Sequence, residues 1–317
     1  MRITCEVDDD GQIHFRDADG KEASDEVIAA TKKQNKDAIL QLITQKCDEI
    51  NEQLLVLDRL HHETSDPSVP PRFEQPEFPQ QPLPPTPRRL GLLGRLLPPL
   101  KRRTAEFNAL QEASYSRALA AWADAKKTFD AECASRRHHL EHGIYSDLEA
   151  METFLDESLS DIAWPRETIV AFDIQDGGKT VLLDVDLPEI EDMPTRLASI
   201  PARGMKLSVK EMSATKVQNL YMDHIHSVLL RLIGETFAAL PTVQQVVASG
   251  FSQRRDPGTG ALRDDYLLSV RVPRSAWLTL DFNALHAVDP VEALARFELL
   301  RTMTKTGVFK PIAPFEQ

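Results

Sequence analysis

Pro67, Pro70, Pro71, Pro76, Pro79, Pro82, Pro84, Pro85 and Pro87 crowd one short stretch of the chain. No helix or central strand crosses such a stretch, because each proline lacks an amide donor and clashes with the preceding turn. The backbone there is extended polyproline II or disordered. Its PxxP spacing suits SH3 or WW grooves, although a spacer between two structured parts is the reading favoured. The far end, Arg88-Arg89-Leu90-Gly91-Leu92-Leu93-Gly94-Arg95-Leu96-Leu97, is basic and leucine-rich. That composition suits a membrane surface or a partner groove; docking onto the protein's own helices or a sister subunit is the preferred reading.

Both flanks of the proline stretch are helical in pattern. Ser24 is a good N-cap. Ile39, Leu42, Ile43, Ile50, Leu54 and Leu57 recur at helical steps up to about residue 62. On the other side, residues 104–140 hold no proline, and Phe107, Leu110, Leu119, Trp122, Phe129 and Cys133 follow the same period. The pattern predicts two long antiparallel helices, a coiled-coil-like arm joined by the proline stretch. Such an arm implies a homo-oligomer or a protein partner. Residues 1–23 read as a β-hairpin turning at Asp8-Asp9-Asp10-Gly11. This acidic turn lacks the twelve-residue calcium pattern and its closing glutamate.

Residues 146–317 read as an α/β core. The expected order is a helix over 147–162, strands at 167–174, 180–187 and 205–211, a helix over 213–240, and a last hairpin at 243–254 and 266–274. Asp289-Pro290 then starts a closing helix to about residue 302. The predicted class is therefore α+β, with a long antiparallel helical arm and a C-terminal mixed domain of αβββαββ order. The partition reads 1–23 hairpin, 24–62 first arm helix, 63–103 proline-rich linker, 104–145 second arm helix and 146–317 core.

The net charge of −12 argues against a general nucleic-acid binder. Cys5, Cys47 and Cys133 form no CxxC pair, so neither a zinc knuckle nor a disulfide framework is indicated, and a reducing cytoplasm is the expected setting. No run of eighteen apolar residues occurs, so no transmembrane segment is expected.

The chemically suggestive residues are few. Asp184 and Asp186 end a nearly continuous apolar strand, where unpartnered carboxylates are costly. Ser208-Val209-Lys210 follows, then the long helix. This order resembles the core of PD-(D/E)xK nucleases. The resemblance implies Mg²⁺ held by an acid on the second strand, a lysine on the third that orients water, and DNA as substrate. Asp186, Lys210 and Ser208 would stand in the catalytic positions. Ser208 occupies the place of the usual third-strand acid; as in a Ser-Val-Lys variant of that core, the missing acid would come from the next helix, here Asp223. The metal ligands would then be Asp184, Asp186 and Asp223. A carboxylate-held cation would polarise the phosphate and lower the pKa of water. Arg254, Arg255 and Arg271 of the last hairpin form the best basic surface, a candidate for phosphate contacts.

A second resemblance spans most of the chain. Lys33-Gln34-Asn35, Cys47-Asp48-Glu49-Ile50-Asn51, the stretch from Asp161 to Thr168, the stretch from Val185 to Pro194, Leu207-Ser208-Val209-Lys210-Glu211 and the stretch from Met303 to Ile312 are similar to a bacterial family of unknown function. In longer members this region follows a small β-rich domain. That likeness implies a cytoplasmic bacterial protein and no defined activity. The alternative to the nuclease is a non-catalytic adaptor built on the arm and the α/β platform.

Overall fold

The computed structural model describes residues 3–91, 97–202, 205–256 and 258–316. The chain divides into two compact units, Met1–Pro70 with Met151–Gln317, and Pro71–Ala150. In chain order the first unit begins with a hairpin, β1 (Thr4–Val7) and β2 (Ile13–Arg16), and two helices, α1 (Asp25–Gln34) and α2 (Lys36–Arg59). A 3-10 turn, Leu60–Glu63, ends α2. The second unit holds the proline-rich segment and a 44-residue helix, α3 (Pro98–Glu141). Then come α4 (Leu148–Ser160), β3 (Ile169–Gln175), β4 (Thr180–Asp186), β5 (Arg196–Ser199), β6 (Ser208–Glu211) and α5 (Ala214–Ala239). The chain closes with β7 (Gln245–Arg255), β8 (Leu262–Pro273), α6 (Arg274–Trp277), α7 (Pro290–Ala295), β9 (Glu298–Met303) and β10 (Phe309–Lys310).

The class is α+β. Six strands form one mixed sheet in the order β10-β9-β8-β7-β4-β3. Only β4 and β7 run parallel. Side-chain alternation across this register gives two faces. Val181, Leu183 and Val185 of β4 align with Val246, Ala248 and Gly250 of β7 and with Val272, Val270 and Leu268 of β8. All of these are buried. Helix α5 packs on this face closely enough to require glycine. A Cβ at Gly250 would lie 2.6 Å from Leu187 Cδ1 and 3.2 Å from Leu229 Cδ1.

Ser213 caps α5, its hydroxyl accepting from the Lys216 amide. From Tyr221 onward the helix is buried on several sides because the turn after α2 and helix α7 pack on it as well as the sheet. At Gly234 a Cβ would meet Thr64 Cγ2 at 2.1 Å, so the 3-10 turn sits directly on the helix backbone. Arg231 pairs with Glu235 at 3.0 Å and with Glu63 at 3.5 Å, and Ser65 donates to Glu235 at 2.9 Å. These polar groups of α5 serve that junction.

A second, smaller core lies under the N-terminal hairpin. Phe15, Ile39, Ile43, Cys47, Ala198 and Leu207 are buried together, with Val209 packed against them. Strands β5 and β6 form their own two-stranded sheet here. Asn51 of α2 clamps the backbone of β5 in both directions: its Nδ2 donates to the Ala198 carbonyl, and its Oδ1 accepts from the Ala198 amide, each at 2.9 Å. Lys46 reaches Asp9 at 2.6 Å and Arg196 reaches Asp10 at 2.5 Å, so cations of the same cluster hold the acidic hairpin turn.

Three expectations are redrawn. The first arm helix belongs to the sheet-bearing unit, where its apolar stripe covers the two small hairpins. It is interrupted at Asn35, whose φ of −118° and ψ of 34° leave the helix. The proline stretch is a packed part of the second unit rather than a bare spacer. The closing helix stops at Ala295, and residues 298–303 form β9 because Leu268–Arg271 of β8 offer an edge to pair with. The basic leucine-rich stretch falls partly on residues 92–96, which lie outside the described residues.

Candidate functional site

The β4 carboxylates occupy the sheet face opposite α5. Tyr266 of β8 donates its hydroxyl to Asp184 Oδ2 at 3.2 Å. Asp184 Oδ1 is buried without a hydrogen-bond partner among the described residues. Burial raises the Asp184 pKa above the usual carboxylate range; the Tyr266 bond opposes that shift and the nearby Asp264 adds to it. The same bond, with burial acting first, pushes the Tyr266 phenol up to about 12. Asp186, two residues on, lines a cleft of about 360 Å³ with Glu167, Ile169, Leu187, Pro188, Glu189, Asp192 and Gln253. Burial raises its pKa first, and then Asp264, Glu167, Glu189 and Asp184. No lining residue is basic, so this cleft repels an unaccompanied phosphate.

The other candidates stand elsewhere. Lys210 is exposed on β6, opposite Leu197, in the separate two-stranded sheet. Its neighbour Val209 faces the small core, so period-2 alternation turns both Lys210 and Ser208 away from that core. Ser208 pairs with Ser199. Asp223 is on α5 beside Asp289 of the sequence before α7 and Asp58 of α2. Burial and then these two charges raise it to about 6. Lys210 thus lies in a different sheet from Asp184 and Asp186, and Asp223 lies on the helix that packs on the opposite face of theirs. Among the described residues no group of three or more His, Cys, Asp or Glu side chains is placed to hold a metal ion. The residues present therefore do not fit the Mg²⁺ that the nuclease resemblance implies.

The basic hairpin is divided as well. Arg271 binds Glu298 at 2.7 Å and lies 4.2 Å over the Phe315 ring. The C-terminal tail thus covers part of the open sheet face. Ile312 donates to the Tyr266 carbonyl, and Phe315 donates to Ser269 Oγ. Arg254 and Arg255 remain exposed on the β7 extension. Arg263, which faces Arg254 across the ladder, pairs with Asp265 at 2.7 Å.

The structure also assembles polar groups that the sequence pattern did not single out. His61 is 4% exposed. Its Nε2 donates to the Val288 carbonyl at 2.9 Å, which leaves Nδ1 to accept from the Ser227 hydroxyl at 3.1 Å. Burial holds its pKa below the ordinary histidine value. Ser227 is 1% exposed, so this pair ties the turn after α2 to α5 and offers no open nucleophile. His226 is fixed in one tautomer in the same way, donating from Nδ1 to Met222 and accepting at Nε2 from Arg301. Adjacent histidines at a helix end gave no spacing signal for such a role.

In the second unit the proline-rich segment runs along α3. Trp122 Nε1 donates to the Pro79 carbonyl at 2.7 Å. Phe78 sits against Trp122 and Phe129, with ring centroids at 5.8 and 4.8 Å. Asn108 clamps Arg88, accepting from its amide at 2.9 Å and donating to its carbonyl at 3.1 Å. The Arg88 guanidinium stacks 3.6 Å over Phe107, and Arg137 stacks 5.0 Å over Phe73. Phe107, Trp122 and Phe129, from the helical stripe that read as a coiled-coil seam, form the bed of this segment.

No family model matches the chain, and no curated protein sequence or solved structure matches it significantly. Among the described residues no helix is long and apolar enough to cross a membrane.

Proposed function

We propose that this protein is a non-catalytic adaptor: the sheet-bearing unit is a rigid platform, and the helix of the second unit, with its proline strap, is the arm that engages a protein partner. One observation carries this reading. The groups a nuclease of the PD-(D/E)xK type would need together stand in three places: Asp184 and Asp186 on the main sheet, Lys210 on the small hairpin, and Asp223 beside Asp58 and Asp289. Phosphoryl transfer rests on positioning and charge stabilisation within hydrogen-bond reach, which this separation does not provide. The likeness to a bacterial family without defined activity is compatible with an adaptor in the cytoplasm, and DNA as a partner has only the exposed Arg254 and Arg255 in its favour.

The test is a cleavage assay. The full chain is incubated with supercoiled plasmid, single-stranded DNA and RNA in millimolar Mg²⁺ or Mn²⁺, beside Asp186→Asn and Lys210→Ala. An adaptor leaves all substrates intact in all three samples. Cleavage by the parent chain that both substitutions abolish would overturn the adaptor reading and restore the nuclease one.

A further inference from the structure

The proline segment carries more than the contacts that hold it. It has neither helix nor strand between Pro71 and Gly91. Its contacts step along α3 in the opposite direction: Gln75 with Arg137, Pro79 with Trp122 and Arg88 with Asn108. From Arg137 back to Asn108 the helix rises about 44 Å at ~1.5 Å per residue. From Gln75 to Arg88 a polyproline II chain at ~3.1 Å per residue covers about 40 Å. End to end the two lengths match to about a tenth, as for a chain near the polyproline II rise that its proline content favours.

A polyproline II helix has three residues per turn and hence three edges. Between Pro82 and Arg89 the edges sort cleanly. Pro82 and Pro85 are half-buried, and Arg88, next on that edge, stacks on Phe107 while Asn108 grips its backbone. This edge faces α3. Leu83, Thr86 and Arg89 form the second edge, and Pro84 and Pro87 lie on the third; all five are exposed, Leu83 by 88%. Two apolar-or-small-plus-proline pairs, Leu83-Pro84 and Thr86-Pro87, are thus displayed side by side, with the exposed Arg89 one step beyond.

We propose that residues 83–89 are a docking peptide, held ready in polyproline II form, for a partner domain of the SH3 type, with two aromatic-walled slots beside an acidic pocket. The two exposed pairs match the two slots, and Arg89 matches the pocket by charge. The edge that such a groove leaves untouched is the edge that α3 occupies, so the partner docks without displacing the segment. Recognition of this kind gains from a ligand ordered beforehand, because the ordering cost is already met by Trp122, Phe78 and Asn108. The proposal rests on the adaptor reading and names the class of its partner.

The probe is a purified SH3 domain whose groove has an acidic specificity pocket, titrated with the full chain by calorimetry. Saturable one-to-one binding is expected. Pro84→Ala, Pro87→Ala and Arg89→Glu should each weaken it about tenfold or more, whereas Arg88→Ala, on the helix-facing edge, should change it less than Arg89→Ala does. All substituted residues are exposed, Arg88 being the one that stacks on α3, and circular dichroism checks that helix content is unchanged. No saturable binding, or equal sensitivity at Arg88 and Arg89, overturns the docking peptide. That failure is separable from failure of the adaptor reading, which only metal-dependent cleavage in the preceding assay would bring about.

Discussion

Helices α5 and α3 are both long and free of interior proline, yet they do opposite things. Fourteen of the 26 residues of α5 are buried. In α3, which has 44, only Cys133 and Leu140 are buried. Burial on several sides makes α5 the element around which the sheet-bearing unit condenses; its stability comes from tertiary packing rather than propensity. The strap covers one stripe of α3 and leaves the rest in water. Length and periodicity alone do not tell a core helix from a display helix. What tells them apart is the identity of the covering surface: branched aliphatics and glycines under α5, prolines and stacked arginines on α3.

The largest effect that could break this contrast is a cavity under α5. Leu229→Ala should lower unfolding free energy by about 2–5 kcal/mol in denaturant titration, whereas Leu110→Ala on α3, where the side chain is 69% exposed, should change it by less than ~0.5 kcal/mol. Comparable losses at both positions would erase the distinction. Next, Gly234→Ala forces a methyl into Thr64 and should cost about 1–3 kcal/mol by overpacking. A neutral result would mean that the turn after α2 does not rest on α5.

A charge test is of similar size and opposite sign. Because Asp223 titrates near 6 when folded and near ~3.9 when unfolded, its ionisation costs stability that is absent below about pH 4 and complete above about pH 6. Asp223→Asn should therefore stabilise the protein at pH 7 by about 1–3 kcal/mol, with the gain fading as pH falls to 4. His224 and His226 make the fold sensitive to acid: burial lowers each to about 4, so the unfolded chain takes up protons first and the fold loses stability as pH falls from ~6.5. A stabilisation by Asp223→Asn that did not fade towards pH 4 would point to packing instead of charge. The smallest effect is expected at the strap. Trp122→Ala removes one hydrogen bond and one aromatic contact and should cost about 1–2 kcal/mol of strap docking, read as faster protease cleavage between Glu74 and Arg89 with the sheet-bearing unit intact.

Much of the sheet-bearing unit was legible. The helix expected over 213–240 is α5, capped by Ser213, and the strands expected at 167–174 and 180–187 are β3 and β4, joined by a turn in which Asp176 adopts a positive φ of 53°. The partners of β6 were not legible. Ser208-Val209-Lys210 alternates as any amphipathic strand does, and nothing local states that Val209 faces Phe15 and Ile39 instead of the main sheet. The candidate site failed to assemble for that reason: a third strand placed by sequence order was placed elsewhere by packing. Strand β9 was hidden because Leu299-Leu300 suits either period. The strap was half visible; the prolines announced an extended chain, but the Trp122 indole and Asn108 amide that receive it are single polar groups within a helical pattern.

Amide hydrogen exchange on the whole chain distinguishes α5 from α3 without any substitution. Helix α5 should exchange only through global unfolding, with the slowest peptides spanning Ile225 to Phe237, while amides in the first half of α3 exchange through local opening at least a hundredfold faster. Equal protection along α5 and α3 would contradict the division into a buried scaffold and a displayed arm.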